Sequence, residues 1–216
     1  MFDPSAASIR VLGVDPGLSR CGVAVLDGPA QRAKVVRAEV VRTPPDQALG
    51  DRLAAIHAAI ESAVATDRPA ALAVERVFIN NQARTGVGAI QVVGLVHLVG
   101  ARHGLGVTEL TPSQVKAAVT GFGDADKDQV TFMVQRMLGL AKPPKPADKA
   151  DALAVALCHL QQAAMPTAGP ATTPGSGPGQ PNPATAGLPP RLAAALAEAG
   201  PGLQAVRPTA HPRGRR

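Results

Sequence analysis

The sequence predicts an α/β domain built on a mixed five-stranded sheet, and three observations carry that prediction. Three β-rich runs follow one another at the start: IRVLGVD, CGVAVLDG and AKVVRAEVV. Two more, ALAVERVFI and LGVTEL, are separated from these and from each other by stretches with helical spacing. Strands that first run together and then alternate with helices point to a mixed sheet flanked by helices.

Taken in order, IRVLGVD and CGVAVLDG read as a hairpin pair, with DPGLSR supplying the turn. AKVVRAEVV is the third strand. DQALGDRLAAIHAAIESAVA places Leu49, Leu53, Ile56, Ile60 and Val64 at helical intervals, which predicts one buried apolar face. ALAVERVFI is a short apolar strand carrying Glu75 near its exit. TGVGAIQVVGLVHLVGARHG is a second helix that tolerates several glycines, each costing about 1 kcal/mol relative to alanine. LGVTEL is the fifth strand, and SQVKAAVTG, KDQVTFMVQRMLG and ADKADALAVALCHLQQ read as three closing helices.

Composition sets further bounds. Hydrophobic residues make up 45% of the 216, enough for a core, but Trp and Tyr are absent and only four Phe are present, so that core is aliphatic. Composition changes near Ala164. From Met165 onward Pro, Gly, Ala and Thr dominate, and such a segment buries too little to offset its chain entropy, so residues 163–216 are expected to form a disordered tail with a basic end. Five arginines against one glutamate give residues 165–216 a charge of +4, leaving +2 of the total +6 for the rest. The basic balance is mostly a tail property; it permits a polyanionic partner and does not require one. Cys21 and Cys158 lie far apart without metal-ligand spacing and are expected to be buried free thiols. No apolar run approaches the ~18 residues of a membrane span and the first residues do not read as a signal peptide, so a soluble, cytoplasmic protein is expected.

Four carboxylates stand in apolar surroundings. Asp15 ends the first strand, Glu75 lies in the fourth, and Asp148 and Asp151, three apart, share one face at the start of the last helix. Singly, each has an ordinary reading: a turn residue at Asp15, a partner for Arg76 at Glu75, a cap or first-turn acid at Asp148 and Asp151. Together they suggest a site. Two carboxylates about 4 Å apart repel by about 4 kcal/mol at an effective dielectric of about 20, which protonation or a divalent cation relieves. Oxygen ligands with little His or Cys nearby suit Mg²⁺ or Mn²⁺, and a pair of such ions can hydrolyse a phosphodiester without a nucleophilic side chain. On the residues alone, an ATPase of the actin and sugar-kinase type, an RNA-processing nuclease and a non-catalytic binding protein remain open.

LGVDPGLSRCGVAV, VERVF, GDADKDQV and ADKADALAVA, in this order and spacing, resemble the RuvC family of bacterial Holliday junction resolvases. The resemblance spans residues 9–162. It implies a ribonuclease H-like fold, a homodimer, and resolution of four-way junction DNA by paired symmetric nicks that leave a 5′ phosphate and a 3′ hydroxyl, in recombination and repair. It implies that Asp15, Glu75, Asp148 and Asp151 are the catalytic, metal-binding acids, with two Mg²⁺ per site that Mn²⁺ can replace. It places Phe78 where an aromatic stacks against a junction base, Lys116 and Lys127 where lysines hold DNA or the scissile phosphate, and Arg84 in a DNA-facing loop as a phosphate contact. It also implies work alongside the RuvA and RuvB branch-migration complex. The sequence departs from the family pattern in INNQARTGVGAIQVVG, which is glycine-rich where a more regular dimerising helix is expected.

Overall fold

Alternation along the strands decides which side chains meet which helices. A computed structural model describes residues 9–78 and 84–163, except for the side chains of Arg84 and Thr85. In β1 (Arg10–Asp15), Leu12 and Val14 face one layer while Val11 and Gly13 face the other, as period-two side chains must. The other strands are β2 (Arg20–Asp27), β3 (Lys34–Arg42), β4 (Ala71–Glu75) and β5 (Gly106–Leu110). They form one sheet in the order β3-β2-β1-β4-β5, antiparallel across β3, β2 and β1 and parallel across β1, β4 and β5. The mixed five-stranded sheet of the sequence prediction is present.

Helices cover both faces. α1 (Leu49–Asp67) and α2 (Arg84–His103) pack on Leu12, Val14, Val23, Val25, Leu72 and Val74. α3 (Pro112–Thr120), α4 (Lys127–Met137) and α5 (Ala147–Ala163) cover the opposite face, around Val11, Ala24, Leu26 and Ala73. Strands sandwiched this way are buried on both sides, which is why β1 and β4 read as near-continuous apolar runs. The core is aliphatic as expected, and the three described phenylalanines, Phe78, Phe122 and Phe132, are all exposed. Cys21 and Cys158 are buried and free.

Three details differ from the sequence reading. β4 ends at Glu75, so Phe78 lies beyond the strand. In α1, Ile56, Ile60 and Val64 are buried, but Leu49, at the first turn, is exposed and Arg52 is buried. The helix glycines of α2 are partly explained by close packing: a Cβ on Gly100 would fall 2.5 Å from Cγ2 of Val107, and one on Gly88 2.8 Å from Cβ of Leu18. The tail expected over residues 163–216 lies outside the described residues, apart from Ala163 at the end of α5.

Candidate active site

Strand parity and parallel register bring Asp15 and Glu75 together. Asp15 follows Val11 and Gly13 on the α5 face of β1, and Glu75 follows Ala73 on the same face of β4. The two strands are parallel neighbours with Val14 opposite Val74, so both acids emerge at the same sheet edge, one residue further on. The open α/β sheet thus presents its acids at the carboxyl ends of its strands, where such folds form their sites.

α5 supplies the other two acids, and glycine allows it to come close enough. A Cβ on Gly13 would stand 2.5 Å from the Ala152 carbonyl oxygen and 2.7 Å from the Ala156 nitrogen. Gly22, the register partner of Asp15 on β2, lies against the Asp148 carbonyl oxygen so tightly that a Cβ there would overlap it. With no side chain at either position, the helix backbone rests on the sheet. Asp148 then falls in the first turn of α5 and Asp151 three residues later, on the same helix face. Ala152 and Ala156, buried and one turn apart on the helix, keep that contact flush.

All four acids line one cleft of about 190 Å³, together with Pro112, Val115 and Lys116 of α3 and Lys127 and Val130 of α4. Asp126 caps α4 through a reciprocal box with Gln129, and Thr111 caps α3 in the same way with Gln114, so both helices that carry a lysine to the cleft start at defined points. Lys127 Nζ stands 3.9 Å from Asp151 Oδ2, and Arg20 Nε 3.4 Å from Asp148 Oδ1. Burial pushes the Asp15 carboxyl up to about 8, reinforced by the charges of Asp151, Glu75 and Asp148 and opposed by Lys127. Burial likewise raises Glu75 to about 7, reinforced by Asp151 and opposed by Lys127 and Lys116. Asp151 is also raised, by burial and by Asp148, again against Lys127.

Asp148 is indeed a first-turn acid of α5, but the ordinary reading of Glu75 as a partner of Arg76 fails. Arg76 pairs with Glu109 at 3.2 Å rather than with Glu75. Phe78 is 60% exposed and so is not a core residue. Lys116 and Lys127 are brought to the cleft; Arg84 begins α2, but its side chain lies outside the described residues. A second groove, of about 430 Å³, shares Asp15 and Asp148 with the cleft and adds Gly17, Leu18, Ser19, Arg20, Arg52 and Gly88. Its buried Arg52 was hidden in the sequence, where a charge between Asp51 and Leu53 reads as the solvent side of a helix.

Fold and site together define a class: a ribonuclease H-like domain with an acid-lined cleft at the carboxyl edge of its central strands. Residues 11–159 match the family model described as crossover junction endodeoxyribonuclease RuvC. Crossover junction endodeoxyribonuclease RuvC of Saccharopolyspora erythraea is 54% identical over 158 residues, covering 73% of this chain and 79% of that protein. The protein of the same name from Rhodococcus jostii is also 54% identical over 158 residues, covering 73% and 84%. Among solved structures, Thermus thermophilus RuvC in complex with a Holliday junction substrate superposes with a TM-score of 0.68 at 36% identity, covering 72% of this chain and 94% of that one. The chain belongs to the RuvC family.

Proposed function

We propose that this protein is a structure-selective endonuclease that resolves Holliday junctions by paired symmetric nicks, using Asp15, Glu75, Asp148 and Asp151 as its catalytic acids. The observation that supports it best is the convergence of four carboxylates and two lysines on one cleft, in a chain whose relative from Thermus thermophilus is described with a Holliday junction substrate.

The donor set suits a hard divalent cation such as Mg²⁺, since every acid in the cleft offers carboxylate oxygen and no thiol or imidazole lines it among the described residues. Its raised carboxyls mark an excess of negative charge that a cation relieves. Among the described residues no three His, Cys, Asp or Glu side chains are already arranged to hold a metal ion. The four acids would hold two Mg²⁺, or Mn²⁺ in its place. When bound, these ions supply the Lewis acidity that activates water and offsets charge on the phosphate and the leaving oxygen.

The chain's own residues do the rest. Lys116 and Lys127 attract the scissile phosphate to the acid-lined floor, where an uncompensated phosphodiester would be repelled. Phe78, exposed just beyond Glu75, offers a face on which an unpaired base at the junction stacks. Arg84 contributes a phosphate contact. No hydroxyl or thiol lines the cleft among the described residues, which favours water as the nucleophile; with the 3′ oxygen as the leaving group, as the family resemblance implies, the P–O3′ bond breaks and the products are a 5′ phosphate and a 3′ hydroxyl. Two copies related by a two-fold axis match the near two-fold symmetry of a four-way junction and cut two strands alike. Residues 9–162 form the nuclease domain, and residues 163–216, with their basic end, lie outside it. In this reading the enzyme works alongside a RuvA–RuvB branch-migration complex.

The test is cleavage of a synthetic mobile four-way junction against a linear duplex of the same sequence, with Mg²⁺ and with EDTA. Paired, ligatable nicks on the junction alone, lost in EDTA and in Asp148→Asn while junction binding persists, are expected. Cutting by Asp148→Asn would remove that residue from the site. Equal cutting of duplex and junction would overturn the structural selectivity.

A further inference from the structure

Arg52 carries a charge that nothing nearby neutralises. It sits in the first turns of α1 and is 9% exposed, a burial that charged side chains rarely tolerate unpaired. Its Nε donates to Thr43 Oγ1 at 2.9 Å and its Nη2 to Ser19 Oγ at 2.8 Å, both neutral acceptors. Among the described residues no carboxylate pairs with it. Arg37, only partly buried, is treated differently: it has both Asp67 at 2.5 Å and Glu39 at 3.1 Å. A guanidinium held in place by two hydroxyls and left without a counterion is a site prepared for an anion.

The surroundings fit one kind of anion. Arg52 and Ser19 line the 430 Å³ groove that runs on from the acidic cleft, with Asp15 and Asp148 common to both. Ser19 Oγ accepts from Arg52, so its own hydroxyl hydrogen remains available to donate. Thr43 Oγ1 donates to the Leu18 carbonyl oxygen, which fixes the acceptor geometry that aims the guanidinium. Arg20, on the rim, already covers the Asp148 carboxylate that would otherwise repel an incoming anion. The Gly17–Leu18 turn that follows Asp15 also lines the groove, and Gly88 of α2 packs closely against Leu18 there. The groove thus brings the guanidinium of Arg52 beside Asp15, the acid that the proposed reaction uses.

We propose that this groove is a phosphate subsite: Arg52 and Ser19 hold a phosphodiester of the bound strand that flanks the one in the acidic cleft. This rests on the reading of the protein as a nuclease. Arg52 is then a positioning residue that sets the strand's register over the acids and takes no part in the chemistry.

The experiment uses the full-length protein and a four-way junction in EDTA, where binding is read without cutting. Single methylphosphonates, each removing one phosphate charge, are scanned along the strand around the cleavage point. Wild type should lose about tenfold in affinity at one phosphate flanking the scissile one. Arg52→Gln should bind the unmodified junction about tenfold more weakly, lower the slope of log K against log salt by about one, and be indifferent to that methylphosphonate. Arg52→Lys should restore part of the slope. Ser19→Ala, an exposed position in the turn, gives the same pattern more weakly and serves if Arg52→Gln does not fold. A junction bound by wild type with no sensitive flanking phosphate, or an Arg52→Gln protein with reduced thermal stability and an unchanged salt slope, overturns the subsite and leaves Arg52 as a clamp on the turn. Wild type that prefers no junction over duplex overturns the nuclease reading itself.

Discussion

Replacing Asp15 with asparagine should stabilise the metal-free protein, by an amount that depends on pH. Burial first, then Asp151, Glu75 and Asp148, raise the Asp15 carboxyl from 3.8 to about 8, against the opposing charge of Lys127. A group that holds its proton more tightly when folded favours folding fully below its unfolded pKa, and that advantage is lost as pH rises through the folded one. For Asp15 the window runs from 3.8 to about 8, a span of about four pH units. At about 1.4 kcal/mol per unit the ceiling is ~5–6 kcal/mol. Four acids share this field and water reaches the cleft mouth, so about half of that, ~2–3 kcal/mol, is the expected gain of Asp15→Asn at pH 8 in EDTA. For a domain of about 150 residues that is a rise in Tm of roughly 5–10 °C. With no Trp or Tyr in the chain, unfolding is followed by far-ultraviolet circular dichroism or calorimetry. The advantage should fall below about 1 kcal/mol by pH 4, where the folded carboxyl is protonated and the unfolded one about half so, and vanish below the unfolded pKa of 3.8. An Asp15→Asn protein no more stable than wild type at pH 8, or one equally favoured at pH 4 and pH 8, would show that the acids do not crowd one another.

Lys127→Met should act with the opposite sign: its charge lowers Asp15, Glu75 and Asp151, so its loss should destabilise the metal-free fold at pH 8 and not at pH 4. Because Lys127 is highly exposed the effect should stay below about 1 kcal/mol, and a larger loss in the same unfolding assay would contradict the geometry. Gly22→Ala places a methyl on the Asp148 carbonyl oxygen, so it should cost about 1–3 kcal/mol and reduce junction cleavage more than tenfold while every acid is intact; unchanged cleavage would mean that α5 is free to shift. Phe78→Ala should leave stability within about 0.5 kcal/mol, since the ring is exposed, yet weaken cleavage of the junction, and a stability loss above that would return Phe78 to the core.

The acids were legible because each breaks a pattern. Asp15 and Glu75 interrupt apolar runs at strand ends, where a buried-looking strand has no reason to carry charge, and the DxxDALA spacing places two acids on one face of a helix that then turns wholly apolar. What the sequence does not display is contact between elements far apart in the chain. Gly13 and Gly22 look like ordinary strand glycines until α5 is laid across them, and only then do they become the reason that Asp148 reaches Asp15. Arg52 failed to stand out for the converse reason. Helical periodicity assigns it no special face, because the pattern scores apolar residues and takes a charged one as solvent-facing. Its burial is set by the turn after β1 and the end of β3, which supply Ser19 and Thr43 from 33 and 9 residues away. Leu49, apolar and in phase, was the residue that periodicity selected instead; it lies in the first helical turn, where the sheet no longer covers it.

The four acids divide by how the fold holds them, and this bears on why the site survives in a stable protein. Asp15 and Glu75 end strands whose preceding residues are buried on both faces, so their backbone positions are fixed by the sheet whatever their charge. Asp148 lies in the first turn of α5, where a helix N-terminus favours anions, and Asp148 and Asp151 each have a cation within 4.0 Å, in Arg20 and Lys127. The strand acids are therefore rigid, while Asp151, still raised by burial, is opposed by Lys127 and Asp148 is paired with Arg20, and both cations are largely exposed and able to swing away. A cleft built from four fixed acids would oppose folding without a cation, and one built from four eased acids would have little reason to bind one. Dividing them lets the sheet impose the crowding while Arg20 and Lys127 keep the metal-free fold tolerable. It also places Arg20 in the Arg52 groove, next to Asp148, one of the two acids that the groove shares with the cleft.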